Sequence, residues 1–153
     1  MDVGIYPLNE IRWLTGEEPV GFTAVAATRD KSGRFAEVEQ TLDFTIKMPS
    51  GIVASLACSY GENMPSFLRI HGSERSLDIE NAYGYSGVRL SGGRAAAQGS
   101  STPGEQTSQF TLEAEYFSKC IRSGTDPATG GDEGLKDLLA IEAIYKAAGA
   151  PIA

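Results

Sequence analysis

The pattern of hydrophobic positions changes three times along the chain. From Pro7 to Thr15 the spacing is helical, with Leu8, Ile11, Arg12 and Trp13-Leu14 at three- and four-residue steps. Pro7 falls in the first turn, where a missing N–H costs little. Gly16 predicts the stop, and Glu17-Glu18-Pro19 leads away. From residue 20 to 90 the period is two. The first strand is predicted over 21–29, followed by a turn-rich Asp30-Lys31-Ser32-Gly33. In the second, Val38, Leu42, Phe44, Ile46 and Met48 point one way, and Glu39, Thr41, Asp43, Thr45 and Lys47 the other. After the Pro49-Ser50-Gly51 turn, a third strand sets Ile52, Ala54, Leu56, Cys58 and Tyr60 against Val53, Ser55, Ala57 and Ser59. Further strands are predicted over 67–71, 76–80 and 85–90, with Gly72-Ser73-Glu74-Arg75 turning between the first two.

Residues 91–108 are rich in Gly, Ser, Ala, Thr and Pro and have no period. They predict a long loop that either shapes a site or merely connects. Helical spacing then returns. Phe110, Ala114, Phe117 and Ile121 form one stripe, and Leu135, Leu138, Leu139, Ile141, Ile144 and Tyr145 form a broad apolar face ended by Gly149 and Pro151. Thr129-Gly-Gly-Asp132 gives a weak capping-box signal before the last helix. Strands flanked by helices, without βαβ alternation, predict an α+β fold. The expected form is a mostly antiparallel, open-faced sheet of about five or six strands, with helices 110–122 and 133–148 packed on one face. The other sheet face, with Thr41, Thr45, Val53, Ser55 and Ala57, is small and flat. It suits either solvent or a subunit interface.

At 153 residues the chain suits one domain with a real core. Its 41% hydrophobic and 22% charged composition is that of a globular protein. A net charge of −7 argues against a nucleic-acid surface and against attraction to anionic membranes. No apolar run reaches the length of a membrane span, and no signal peptide is visible. Cys58 and Cys120 lie in apolar strand and helix patterns, far apart, and read as buried free thiols in preference to a disulfide. A single histidine, His71, leaves almost nothing for a His-based metal site or a Ser-His-Asp triad. Its place at a strand end suggests a structural or solvent-facing role.

Candidate chemistry collects at the start. Asp2, Tyr6 and Asn9 stand at i, i+4 and i+7, one face of a helix if the segment is helical. A carboxylate, a phenol and an amide suit proton transfer. The competing reading makes Asp2 an N-cap and Tyr6 a packing residue beside it.

Asp2-Val3-Gly4-Ile5-Tyr6, with Asn9, Arg12 and Leu14-Thr15-Gly16-Glu17-Glu18-Pro19, resembles the Gfo/Idh/MocA family of NAD(P)-dependent oxidoreductases. The resemblance extends through Leu68-Arg69-Ile70-His71-Gly72-Ser73-Glu74-Arg75-Ser76-Leu77, then Gly131-Asp132-Glu133-Gly134-Leu135-Lys136-Asp137 and Ile141-Glu142-Ala143-Ile144-Tyr145. It covers essentially the whole chain, but only that family's C-terminal domain. The family usually has a histidine where Tyr6 stands and an acidic residue where Asn9 stands. That departure looks like the glucose–fructose oxidoreductase branch.

The resemblance implies that Tyr6 is the proton-transfer residue, Asp2 its catalytic neighbour and Asn9 a substrate-binding residue. A phenol is a weak base at neutral pH, so an ammonium or a helix N-terminus must favour its ionised form. Tyr6, at a predicted helix start, could draw on the second of these. The family's catalytic lysine belongs to an N-terminal Rossmann domain, and neither its Glu-Lys-Pro motif nor a GxGxxG fingerprint occurs here. Residues 1–153 are therefore expected to be the C-terminal substrate-binding and oligomerisation domain of a longer protein. NAD or NADP would be bound mainly by the missing part, none by this fragment, which alone would be inactive. The expected partners are a small sugar or polyol and further copies of the chain through the flat sheet face, with no nucleic acid and no membrane. A cytoplasmic setting is expected, with a periplasmic parent left open. The alternative is a non-catalytic scaffold or binding protein that keeps the fold.

Overall fold

A computed structural model describes residues 1–85, 87–92 and 108–150. The elements in chain order are α1 (Ile5–Thr15), β1 (Gly21–Ala27), β2 (Thr41–Lys47), β3 (Val53–Ser59), β4 (Phe67–His71), β5 (Ser76–Glu80), β6 (Arg89–Gly92), α2 (Gln109–Ser123) and α3 (Gly131–Ala147). The architecture is the expected α+β one. Its strands pair as two three-stranded antiparallel sheets, β1-β2-β3 and β4-β5-β6. The chain divides into two compact units, Met1–Met64 with Thr129–Ala153, and Pro65–Ala128.

The first unit holds the core. β2 is the central strand, and Leu42, Phe44, Ile46 and Met48 along it are all buried, as their alternation predicts. Phe22, Ala24 and Ala26 of β1 and Ala54, Leu56 and Cys58 of β3 share that face. Two helices cover it: α3 lies against β1, α1 against β3, and the helices touch each other. Leu8 of α1 and Ile144 of α3 are fully buried between helices and sheet. At about 25 cal/mol per Å² of apolar surface, such side chains each contribute on the order of 1.5–3 kcal/mol. The Met48–Ile52 turn needs Gly51, whose φ of 92° lies in the left-handed region. Gly16, at φ 66°, ends α1 as expected and donates its N–H to the Arg12 carbonyl at 2.9 Å.

Several expectations shift. α1 begins at Ile5, so Pro7 still sits in its first turn. β2 begins at Thr41, which leaves Val38 exposed instead of aligned with Leu42. The buried side of α3 is Asp137, Ala140, Ile141 and Ile144, whereas Leu135, Leu138 and Leu139 are exposed. A broad apolar face cannot lie wholly against one layer, and the side that Asp137 occupies is the one turned inward. The capping box fails too: Gly130 is the N-cap and no side chain caps it. Asp132 and Glu133 in the first turn still favour the positive helix end.

In the second unit, β4 and β5 have the predicted bounds, and Gly72 donates its N–H to the Arg75 carbonyl at 2.9 Å across the turn. β6 lies further on than expected, at Arg89–Gly92. Cross-strand ion pairs Arg69–Asp78 (2.7 Å) and Arg89–Glu80 (2.6 Å) match the register. The Tyr85 and Phe110 rings meet at 5.7 Å. Of α2 only Cys120 is buried, and the Phe110, Phe117 and Ile121 stripe is exposed. Both cysteines are buried free thiols, and His71 is exposed at the end of β4. The loop expected over 91–108 falls, for residues 93–107, outside the described residues, as does Pro151. No helix among the described residues is long and apolar enough to cross a membrane.

Candidate functional site

The start of α1 is set down on β3 by a glycine. Gly4 has an ordinary helical φ of −76°, so flexibility is not what it supplies. A Cβ there would stand 2.9 Å from the Cys58 Sγ and 2.6 Å from the Met1 Sδ, both tighter than real contacts allow. The bare backbone therefore lets the helix entrance sit directly on Cys58. Burial there pushes the Cys58 thiol up from its ordinary pKa.

Two positions beyond Cys58 on the same strand face comes Tyr60, whose hydroxyl donates to the Asp2 Oδ2. The bond to Asp2 is the main reason that the Tyr60 phenol is held above its ordinary pKa, so Tyr60 remains a neutral donor at neutral pH. The bond joins two exposed side chains at the helix entrance, where Tyr6, the second residue of α1, is exposed as well. Asp2 is not an N-cap: Gly4 holds that place, without any side-chain capping bond. Tyr6 is not a packing residue either, being 58% exposed. Seven residues further along α1 comes Trp13, at 79% exposure.

Asn9 lies elsewhere. Its Nδ2 donates to the Asp137 Oδ2 at 2.9 Å, so its amide faces α3. Asp137 also accepts from the Arg12 Nη1. Arg12 is 3% exposed and fully engaged. Its Nε and Nη2 reach the two Glu18 oxygens at 2.7 and 2.9 Å, and Nη2 lies 2.7 Å from the Glu133 Oε1. Lys136 joins Glu133 (3.2 Å) and Glu18 (3.4 Å) at the rim. The fork-on-carboxylate geometry is the strong form of such a pair. The Glu18 bond leads in raising the Arg12 guanidinium, against its burial, and the Arg12 bond leads in lowering the Glu18 carboxyl. Lys136 is raised, chiefly by Glu133. This network fixes how α1 lies on α3.

A third polar group closes the unit. The Tyr145 hydroxyl donates to the Glu39 Oε1 at 2.7 Å. Burial, then Glu39, raises the Tyr145 phenol.

The sheet face away from the helices carries mostly small side chains. Register places Thr23, Thr45 and Ser55 in one row, Val25, Asp43 and Ala57 in the next, and Ala27, Thr41 and Ser59 in the third. Thr41 and Ser59 share a hydroxyl bond of 3.0 Å.

Sequence reasoning reached Asp2 and Tyr6 but not Tyr60, Gly4 or Asp137. The alternation that put Tyr60 on the face of Cys58 was the available signal for the first.

The unit is an open-faced α+β sheet domain with an accessible carboxylate–phenol cluster at one helix entrance. The chain belongs to the GFO/IDH/MocA C-terminal domain family, whose model matches residues 1–78. It is 30% identical over 151 residues to a D-xylose 1-dehydrogenase [NADP(+)] of Haloarcula marismortui, covering 96% of this chain and 41% of that protein. A D-apiose dehydrogenase of Paraburkholderia graminis is 26% identical over 161 residues, covering 96% of this chain and 42% of that protein. Among solved structures, the aldose-aldose oxidoreductase of Caulobacter crescentus, complexed with glycerol, superposes with a TM-score of 0.85 at 38% identity. That match covers 95% of this chain and 44% of the other. The chain therefore spans less than half the length of these relatives.

Proposed function

We propose that this chain is the C-terminal domain of an NAD(P)-dependent sugar or polyol oxidoreductase, in which Tyr6 transfers the proton and Asp2 orients a substrate hydroxyl. The observation that carries the reading is the exposed Asp2–Tyr60 hydrogen bond at the start of α1, the helix on which Tyr6 is exposed. Sugar-converting relatives over nearly the full chain support it.

In reactions of this class a nicotinamide takes the hydride from the hydroxyl-bearing carbon. The described residues do not fit its pyrophosphate. The glycines that open α3 are followed at once by Asp132 and Glu133, which repel phosphate. The cofactor is therefore assigned to the part of the parent outside this chain. This domain's share is the proton. In the oxidation the substrate O–H proton passes to the Tyr6 oxygen in its phenolate form as the hydride leaves the same carbon, and in the reverse direction the resulting phenol returns the proton to the alkoxide oxygen. Tyr6 is the second residue of α1, where helix dipoles favour negative charge. Asn9 gives one Nδ2 hydrogen to Asp137, which helps to place α1, and its other N–H and its Oδ1 are the groups with which it would bind substrate. The flat face of β1-β2-β3 is proposed as the surface on which two copies pair, since its small side chains allow sheets to approach within about 10 Å.

The test is steady-state kinetics of the full-length protein on a panel of D-xylose, D-glucose and myo-inositol with NAD⁺ and NADP⁺. Tyr6→Phe keeps the ring and should lower kcat by ~10²–10⁴-fold with little change in folding. Asp2→Asn should weaken both KM and kcat. A Tyr6→Phe enzyme with near-normal kcat, or a wild type that turns over no sugar, rejects this reading in favour of a non-catalytic protein with the same fold.

A further inference from the structure

Tyr60 is held more firmly than its exposed ring suggests. Its backbone N–H donates to the Gln40 carbonyl at 3.1 Å, and the neighbouring Ser59 Oγ donates to that same oxygen at 2.9 Å. The next residue, Gly61, donates its N–H to the Ser59 Oγ at 3.1 Å. A Cβ on Gly61 would collide with the Gln40 side chain. Gln40 is itself buried, and its Oε1 takes the N–H groups of Arg29 and Asp30 at 3.0 and 2.9 Å. The end of β3 is thus locked to β2, and the Tyr60 ring starts from a fixed backbone.

Asp2 has no such frame. It precedes α1, and its backbone lies in the turn that leads into the helix. A carboxylate there rotates about its own side-chain bonds unless something holds it. The Tyr60 hydroxyl does so, by donating to Oδ2. Gly4 on Cys58 sets the helix entrance at the height on β3 where that bond can close.

We propose that Tyr60 is a positioning residue for Asp2: its hydroxyl pins one carboxylate oxygen and so fixes the direction in which the other is offered to a substrate hydroxyl. This rests on the reading of Asp2 and Tyr6 given above. Tyr60 itself need not touch substrate or move a proton. The hydroxyl bond to a charged acceptor is of the stronger kind, so its loss should be visible in kinetics.

The experiment is a double-mutant cycle in the full-length protein, with Tyr60→Phe, Asp2→Ala and both, read on whichever sugar of the panel the wild type oxidises fastest. Tyr60→Phe should lower kcat/KM by about ten- to a hundred-fold, shared between KM and kcat, with an unchanged thermal midpoint. In the Asp2→Ala background the same change should cost less than about two-fold, because the group it positions is gone. Equal losses in both backgrounds, or a loss that follows the thermal midpoint, would make Tyr60 structural and overturn the inference. Unchanged kinetics of Tyr60→Phe, beside a Tyr6→Phe enzyme that has lost its rate, would overturn it while leaving the active-site reading intact. A Tyr6→Phe enzyme that keeps its rate, or a wild type that oxidises no sugar, overturns both.

Discussion

Arg12 and Asp137, 125 positions apart, are hydrogen-bonded to each other in the buried seam between the first and last helices. The pair is the polar centre of an otherwise apolar contact that also contains Leu8 and Ile144. Ions are expensive to bury, and this one is tolerated because Glu18, Glu133 and Asn9 complete the bonding of both partners.

Removing one partner should therefore cost more than the pair itself is worth. Arg12→Ala leaves the Asp137 carboxylate buried with only the Asn9 amide, and should destabilise the domain by about 3–5 kcal/mol in chemical denaturation. Asp137→Asn keeps an acceptor for Arg12 and should cost less. Equal midpoints for Arg12→Ala and wild type would show that the seam does not depend on the ion pair.

Glu18 gives the network a pH dependence of known sign. Its carboxyl is lowered from 4.5, first by the Arg12 bond, so the folded state favours its ionised form. That stabilisation is present above the unfolded value and is lost as pH falls below about 4.5 and through the lowered one. Glu18→Gln should flatten the acid limb of a plot of thermal midpoint against pH, while leaving the slope above pH 6 alone. An acid limb of the same slope in both proteins would place the titration elsewhere.

The contact between Gly4 and Cys58 predicts coupling. Gly4→Ala forces a Cβ to 2.9 Å from the thiol sulfur, and overpacking of this sort typically costs about 1–3 kcal/mol. The nearer clash, 2.6 Å to the Met1 Sδ, is with the end of a flexible side chain that can swing aside, so in a Cys58→Ala background much of the cost should disappear. Additive losses in the two single variants and the double would mean that Gly4 is required for some other reason.

The flat sheet face makes a prediction about mass. Ser55 lies in the Thr23–Thr45–Ser55 row, with no acidic residue directly opposite it to absorb a new charge. Ser55→Arg should convert a dimer to a monomer in light scattering. A variant that stays dimeric, or a wild type that is monomeric at high concentration, would rule this surface out.

The strands were legible because one face of each is turned to a core. Leu42, Phe44, Ile46 and Met48 alternate with polar residues, and that alternation alone fixes which side is buried. The bounds of β4 and β5 followed from a Gly turn between two short apolar runs. The last helix was harder, because Leu135, Leu138 and Leu139 are as apolar a set as Ala140, Ile141 and Ile144, and hydropathy places an aspartate outside. Only a partner such as Arg12, far away in the chain, makes Asp137 an interior residue. Asn9 was misplaced for the same reason. Helical spacing put it near Tyr6, but its bond to Asp137 turns it toward α3. Alternation placed Tyr60 on the face of Cys58, but it could not show the partner, because Asp2 lies 58 positions away in the chain.

The eleven residues of α1 divide their work by side. Leu8 and Arg12 anchor the helix, while Tyr6 and Trp13 are exposed on it. Because Arg12 ties that anchoring side to Asp137 of the last helix, a change in the buried seam moves everything that α1 presents outward, including the side chain at position 6.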